Sequence, residues 1–129
     1  MNRMYKNHIR GLSGNDDCGQ MSAWYLFTAM GFYPVCPGTD QYVLGAPYLP
    51  YLKMSLPNGK TFEIKAPGVS DKKRYVKSVR LNGKPYSKMY ITHKDITEGG
   101  VMEFVMSASP NKSRGQAKAD KPYSLTEGK

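Results

Sequence analysis

Residues 21–30 read Met-Ser-Ala-Trp-Tyr-Leu-Phe-Thr-Ala-Met, a stretch that is apolar nearly all the way round. Gly31 stands where a left-handed closing residue belongs, and Pro34 blocks continuation, so the spacing predicts a helix over about 20–30. Asp16 and Asp17 lie just before it and are candidates to cap its exposed N–H groups. A helix without a polar face normally sits inside a larger structure. A chain of 129 residues has little interior in which to hide one. The helix therefore reads as cut from a helical environment, and its face should either self-associate or lie against the rest of the chain.

Beyond Tyr42 the period changes to two. Leu52, Met54 and Leu56 alternate with Lys53 and Ser55, and Phe62 and Ile64 alternate with Thr61, Glu63 and Lys65. Asn58-Gly59 lies between these runs, a strong hairpin signal. The pattern recurs at Asn82-Gly83, between Tyr75–Leu81 and a run at Met89-Tyr90-Ile91. Thr92 and Asp95 have the spacing of a capped single turn. Gly99-Gly100 leads into a last strand with Met102, Phe104 and Met106 on one face. The expected fold is mainly β: one N-terminal hydrophobic helix, then a small antiparallel β-sandwich.

The net charge is +9, but the two ends supply +6 of it. Residues 110–129 are rich in Lys, Ser, Gly and Ala and read as a flexible basic tail. The internal cluster of Lys72, Lys73, Arg74, Lys77 and Arg80 reads first as a solvated face. Nucleic acid is therefore not the expected partner, although an anion-binding surface is a rival whose affinity would fall steeply with salt. No apolar run reaches the roughly 20 residues of a membrane helix. The first residues show no apolar core of an export signal.

The densest polar constellation is Gly14-Asn15-Asp16-Asp17-Cys18-Gly19-Gln20. It places two carboxylates at a helix N-terminus, where unpaired N–H groups favour negative charge. Capping is the first reading. A general base that activates water is the second. Calcium ligation is a third, although the spacing does not match an EF-hand loop. His8 and His93 have no evident catalytic partner in sequence. Cys18 and Cys36 flank the helix and are expected to be free thiols, because its length separates them by roughly 15 Å. Tyr33, Tyr42, Tyr48, Tyr51 and Trp24 suit packing first and sugar stacking second. A non-catalytic carbohydrate-binding β-sandwich module is therefore a second functional class.

The run Gly14-Asn15-Asp16-Asp17-Cys18-Gly19-Gln20-Met21-Ser22-Ala23-Trp24-Tyr25, followed by Met30-Gly31-Phe32-Tyr33-Pro34-Val35, closely resembles a signature near the C-terminal end of glycoside hydrolase family 92. Tyr42-Val43-Leu44-Gly45-Ala46-Pro47, Leu56-Pro57-Asn58-Gly59-Lys60, Leu81-Asn82-Gly83 and Ile91-Thr92-His93-Lys94-Asp95-Ile96 resemble that family's closing β-region, in matching order. The family consists of calcium-dependent, inverting α-mannosidases, several times longer than this chain. The resemblance implies that 1–34 is the loop and terminal helix of an (α/α)6 catalytic barrel, and that 35–109 is a C-terminal β-sandwich region. It implies a C-terminal piece of an exo-acting enzyme, α-1,2 being the commonest linkage, on N-glycan-type mannose. It implies that Asp16 and Asp17 supply the general-base side, with the stronger claim on Asp17, and that Asn15 and Gln20 touch sugar or its water. The general acid, a glutamate, and most of the calcium site would lie upstream of this stretch. The isolated piece is then expected to be inactive, and the whole protein exported.

Overall fold

The computed structural model describes Met1 and residues 3–126. Helix α1 (Gln20–Met30) forms where the apolar run predicts it. Gly31 closes it at φ 88°, its N–H bonding to the carbonyls of Phe27 and Thr28, each at 3.1 Å. A Cβ at this position would stand 2.7 Å from the Pro47 nitrogen. Glycine is thus required both by the left-handed backbone and by the close approach of a second segment.

The strands form two sheets. In the first, β1 (Phe32–Tyr33), β2 (Gln41–Leu44) and β7 (Tyr90–Thr92) are antiparallel in the order β1-β2-β7. The second holds β3 (Tyr51–Ser55), β4 (Thr61–Lys65), β5 (Tyr75–Leu81), β6 (Lys84–Pro85) and β8 (Gly100–Ser107), in the order β3-β4-β8-β5-β6. This sheet is mixed rather than wholly antiparallel. Strand β8 runs parallel to β4, from Phe62↔Gly100 to Lys65↔Glu103. Parallel pairing needs a long crossover, and the excursion from residue 66 to 99 supplies one.

The second Asn-Gly turn pairs differently from expectation. Asn82 and Gly83 both have positive φ, 50° and 77°, as a two-residue type I′ turn requires. The return strand is the short β6, not Met89–Ile91, and it pairs Leu81 with Lys84 and Arg80 with Pro85. Tyr86 adds one more bond to this ladder, its N–H donating to the Val79 carbonyl at 2.9 Å. The chain then leaves the sheet, and β7 joins β2 in the other one, so this segment ties the two sheets together. Between the sheets, the capping box predicted at Thr92 and Asp95 opens α2 (His93–Thr97).

One buried cluster draws on both sheets. Phe32, Leu44 and Ile91 come from the first, and Phe62, Ile64, Val79, Met102, Phe104 and Met106 from the second. Phe27 and Met30 of α1 pack against it. Phe27 stacks on Tyr42 at 5.8 Å and meets Phe32 edge-on. On another side of the helix Tyr5 stacks on Trp24 at 5.7 Å. Leu26 is left 60% exposed, so the apolar helix is only partly covered by this chain.

Composition predicts a flexible tail from residue 110, but the described part has specific partners. Asn111 donates to the Lys77 carbonyl and Arg114 to the Lys88 carbonyl. The Asp120 carboxylate accepts from the Ser87 hydroxyl at 2.6 Å, and its carbonyl accepts from the Met89 N–H at 2.7 Å. The Tyr123 N–H donates to the Gln41 side chain. These anchors are individual polar side chains, which a count of Lys, Ser and Gly does not reveal. Residues 127–129 lie outside the described residues.

Tyr86 sits under this strap and donates its hydroxyl to the Tyr90 carbonyl at 2.9 Å. Burial first, then the nearby Asp95 and Tyr90, push its phenol up from 10.0 to about 12. A raised folded-state value means that the neutral phenol stabilises the fold fully below pH 10.0 and that this contribution is lost as pH rises towards about 12. Urea unfolding between those pH values should show the wild-type chain losing stability more steeply than Tyr86→Phe, which has no phenol to ionise.

Candidate active site

The loop ahead of α1 has an unusual backbone. Asp17, Cys18 and Gly19 follow one another at φ 43°, 61° and 92°. Positive φ costs a non-glycine residue roughly 1–2 kcal/mol, so two in succession need support from their surroundings. Gly19 takes the N-cap position and has no side chain to offer. The cap comes instead from Asp16, which reaches past it. One Asp16 oxygen accepts the Ser22 N–H at 2.8 Å, and the other accepts the Ser22 hydroxyl at 3.0 Å. The Asp16 carbonyl also accepts the Met21 N–H at 3.3 Å, and that of Asp17 the Gln20 N–H at 3.4 Å.

The two carboxylates therefore sit in different environments. Asp16 is half-buried, and each of its oxygens accepts one hydrogen bond from Ser22. Asp17 is exposed, and its carboxylate makes no hydrogen bond or ion pair among the described residues. The capping reading of the acidic pair falls to Asp16, and the Asp17 side chain takes no part in it. Asn15 and Gln20 flank Asp17 and are also exposed. Gln20 lines a shallow groove with Ser13, Met21 and Trp24.

Tyr5 and Ser22 were not singled out from sequence. Tyr5 donates its hydroxyl to the Met21 carbonyl at 3.1 Å and so braces the first turn of α1. Partial burial, then the Asp16 charge, raise its phenol above the ordinary value. Ser22 had a weak signal available, since it is the third helical residue, where a cap's acceptor aims. Nothing in the sequence pointed to Tyr5, because its contact spans sixteen positions.

Other candidates are drawn elsewhere. His93 pairs with the Tyr42 hydroxyl at 3.0 Å, in contact with the sheets rather than the acidic loop. Cys18 and Cys36 are free thiols. Among the five suggested stacking aromatics, Trp24, Tyr33 and Tyr42 are engaged with protein rings. Among the described residues, no three of His, Cys, Asp and Glu converge on one point. Asp16 has both oxygens occupied by Ser22.

A family model described as the glycosyl hydrolase family 92 catalytic domain matches residues 1–108. This chain belongs to glycosyl hydrolase family 92. Among family 92 structures it resembles an α-mannosidase from Bacteroides thetaiotaomicron in complex with mannoimidazole, at 45% identity and a TM-score of 0.89, covering 96% of this chain and 16% of that one. It also resembles a family 92 inverting mannosidase from Bacteroides thetaiotaomicron VPI-5482, at 39% identity and a TM-score of 0.87, covering 98% of this chain and 17% of that one. A curated relative from Arthroderma benhamiae, named an uncharacterized secreted glycosidase, is 31% identical over 127 residues, which are 96% of this chain and 16% of the relative. The chain thus spans about one sixth of the length of these relatives.

The division between the two aspartates has a stability signature. Asp16→Ala removes the cap and should cost about 0.5–2 kcal/mol in denaturant unfolding. Asp17→Gly relieves a positive-φ strain and should be neutral or stabilising in the same measurement.

Proposed function

We propose that this chain is the C-terminal part of an inverting, exo-acting α-mannosidase and carries the general-base loop of its active site. The observation that carries this reading is the exposed Asp17 carboxylate, without a partner among the described residues, held on a braced loop in a chain that resembles family 92 mannosidases. An inverting glycosidase needs a carboxylic acid on one side of the scissile bond and a carboxylate on the other, about 6.5–9.5 Å apart, with a water between them. Asp17 is the base in this scheme. It takes a proton from water as the oxygen attacks the anomeric carbon, while an acid outside this chain protonates the leaving oxygen. Asp16 supports it, and Asn15 and Gln20 contact the sugar or the attacking water.

The substrate in this reading is a terminal α-mannoside of N-glycan type, with α-1,2 the favoured linkage. Calcium belongs to the whole enzyme, where it would help bind and distort the sugar. Its ligands would come mainly from outside this chain, and no step here runs through it. The relative named as secreted supports an exported protein. The 60% exposed Leu26 and the incompletely covered α1 suit a helix that has further neighbours in a longer chain.

Two measurements test the proposal. The isolated 129-residue chain should release no mannose from an aryl α-mannoside or from an α-1,2-mannobiose. Turnover near that of complete family members would refute the division of acid and base. In a chimera in which this chain replaces the matching stretch of the Bacteroides α-mannosidase, Asp17→Asn should lower kcat by about 10²–10⁴-fold. Unchanged kcat would remove Asp17 from the base role.

A further inference from the structure

We infer that Ser22 is a positioning residue for Asp17, acting through Asp16. The inference rests on the reading of Asp17 as the base and deepens it. Ser22 is the only residue among those described that donates to the Asp16 carboxylate, and it uses both its N–H and its hydroxyl, at 2.8 and 3.0 Å. These two bonds tie residue 16 to the first turn of α1, across the very residues that carry positive φ, Asp17 and Cys18. A short loop in that conformation has strongly preferred alternatives. The pair of bonds fixes where the loop leaves the helix and so fixes the direction in which the Asp17 carboxylate is presented. Tyr5 also holds this turn, through the Met21 carbonyl. Ser22 donates its hydroxyl proton to Asp16, and the inference assigns it no contact with sugar.

The same geometry separates the two aspartates by chemistry. In Asp16→Asn the new side chain keeps an oxygen to accept the Ser22 N–H. Its NH₂ group can turn the hydroxyl bond round, with the serine oxygen accepting. The Asp16→Asn variant therefore preserves much of the brace, but its amide carries no charge and cannot act as a base. Asp17→Asn preserves the backbone and removes the base.

The test has two arms. In the 129-residue chain, amide hydrogen exchange at Ser22 should quicken at least tenfold in Asp16→Ala and stay unchanged in Asp17→Ala. Equal protection in both variants would overturn the inference. In the Bacteroides chimera, Ser22→Ala should lower kcat by about 10- to 100-fold with KM changed less than about threefold, and Ser22→Thr should restore it to within about threefold. Asp16→Asn should stay within about tenfold of the parent chimera, while Asp17→Asn loses about 10²–10⁴-fold. Melting curves and near-ultraviolet dichroism confirm that each variant is folded. Ser22→Ala at parental kcat with Asp17→Asn inactive would overturn the positioning role and leave the base intact. Asp16→Asn as inactive as Asp17→Asn, with Ser22→Ala unaffected, would make Asp16 itself the base and also overturn it. An active Asp17→Asn would instead remove the base reading, and the positioning role with it.

Discussion

Two hydrogen bonds from Ser22 to one carboxylate hold the acidic loop together. Without them the helix would begin at a glycine that offers no cap, after two residues in a backbone conformation that L-amino acids avoid. Because Asp16 spends both oxygens on Ser22, its neighbour is freed from capping. Adjacent aspartates thus become chemically unlike through their partners and not through their identity.

The remainder of the fold gives that loop a fixed base. α1 is anchored at its far end by Gly31 against Pro47 and along one side by Phe27 against Phe32 and Tyr42. Those aromatic residues belong to the smaller sheet, which β7 links to the larger one through the shared core. The strap over residues 111–123 then holds the segment around Met89, where the chain changes sheets. The loop is accordingly connected to the core through packed rings, while its polar face remains open.

Much of this was legible in the sequence because it depends on local rules. The ends of α1, the two Asn-Gly turns, the capping box at Thr92 and the buried face of Met102, Phe104 and Met106 each follow from residues within a few positions of one another. The acidic loop was visible as a motif for the same reason. What escaped depends on distance along the chain. The parallel pairing of β4 with β8, the move of β7 to the other sheet, the tail's anchors at Asn111, Arg114 and Asp120, and the Tyr5 brace all join segments far apart in sequence. The partition of Asp16 from Asp17 was illegible for a different cause: it turns on the positive φ of Asp17 and Cys18 and on the reach of the Asp16 side chain to Ser22, and two identical residue types give no sign of either.

The most direct test of that partition is a crystal structure of the Bacteroides chimera carrying this chain, with mannoimidazole bound. The expected result is an Asp17 carboxylate within hydrogen-bond reach of a water below the anomeric carbon, with Asp16 still bonded to Ser22. A water held by Asp16, with Ser22 released and Asp17 turned to solvent, would contradict it.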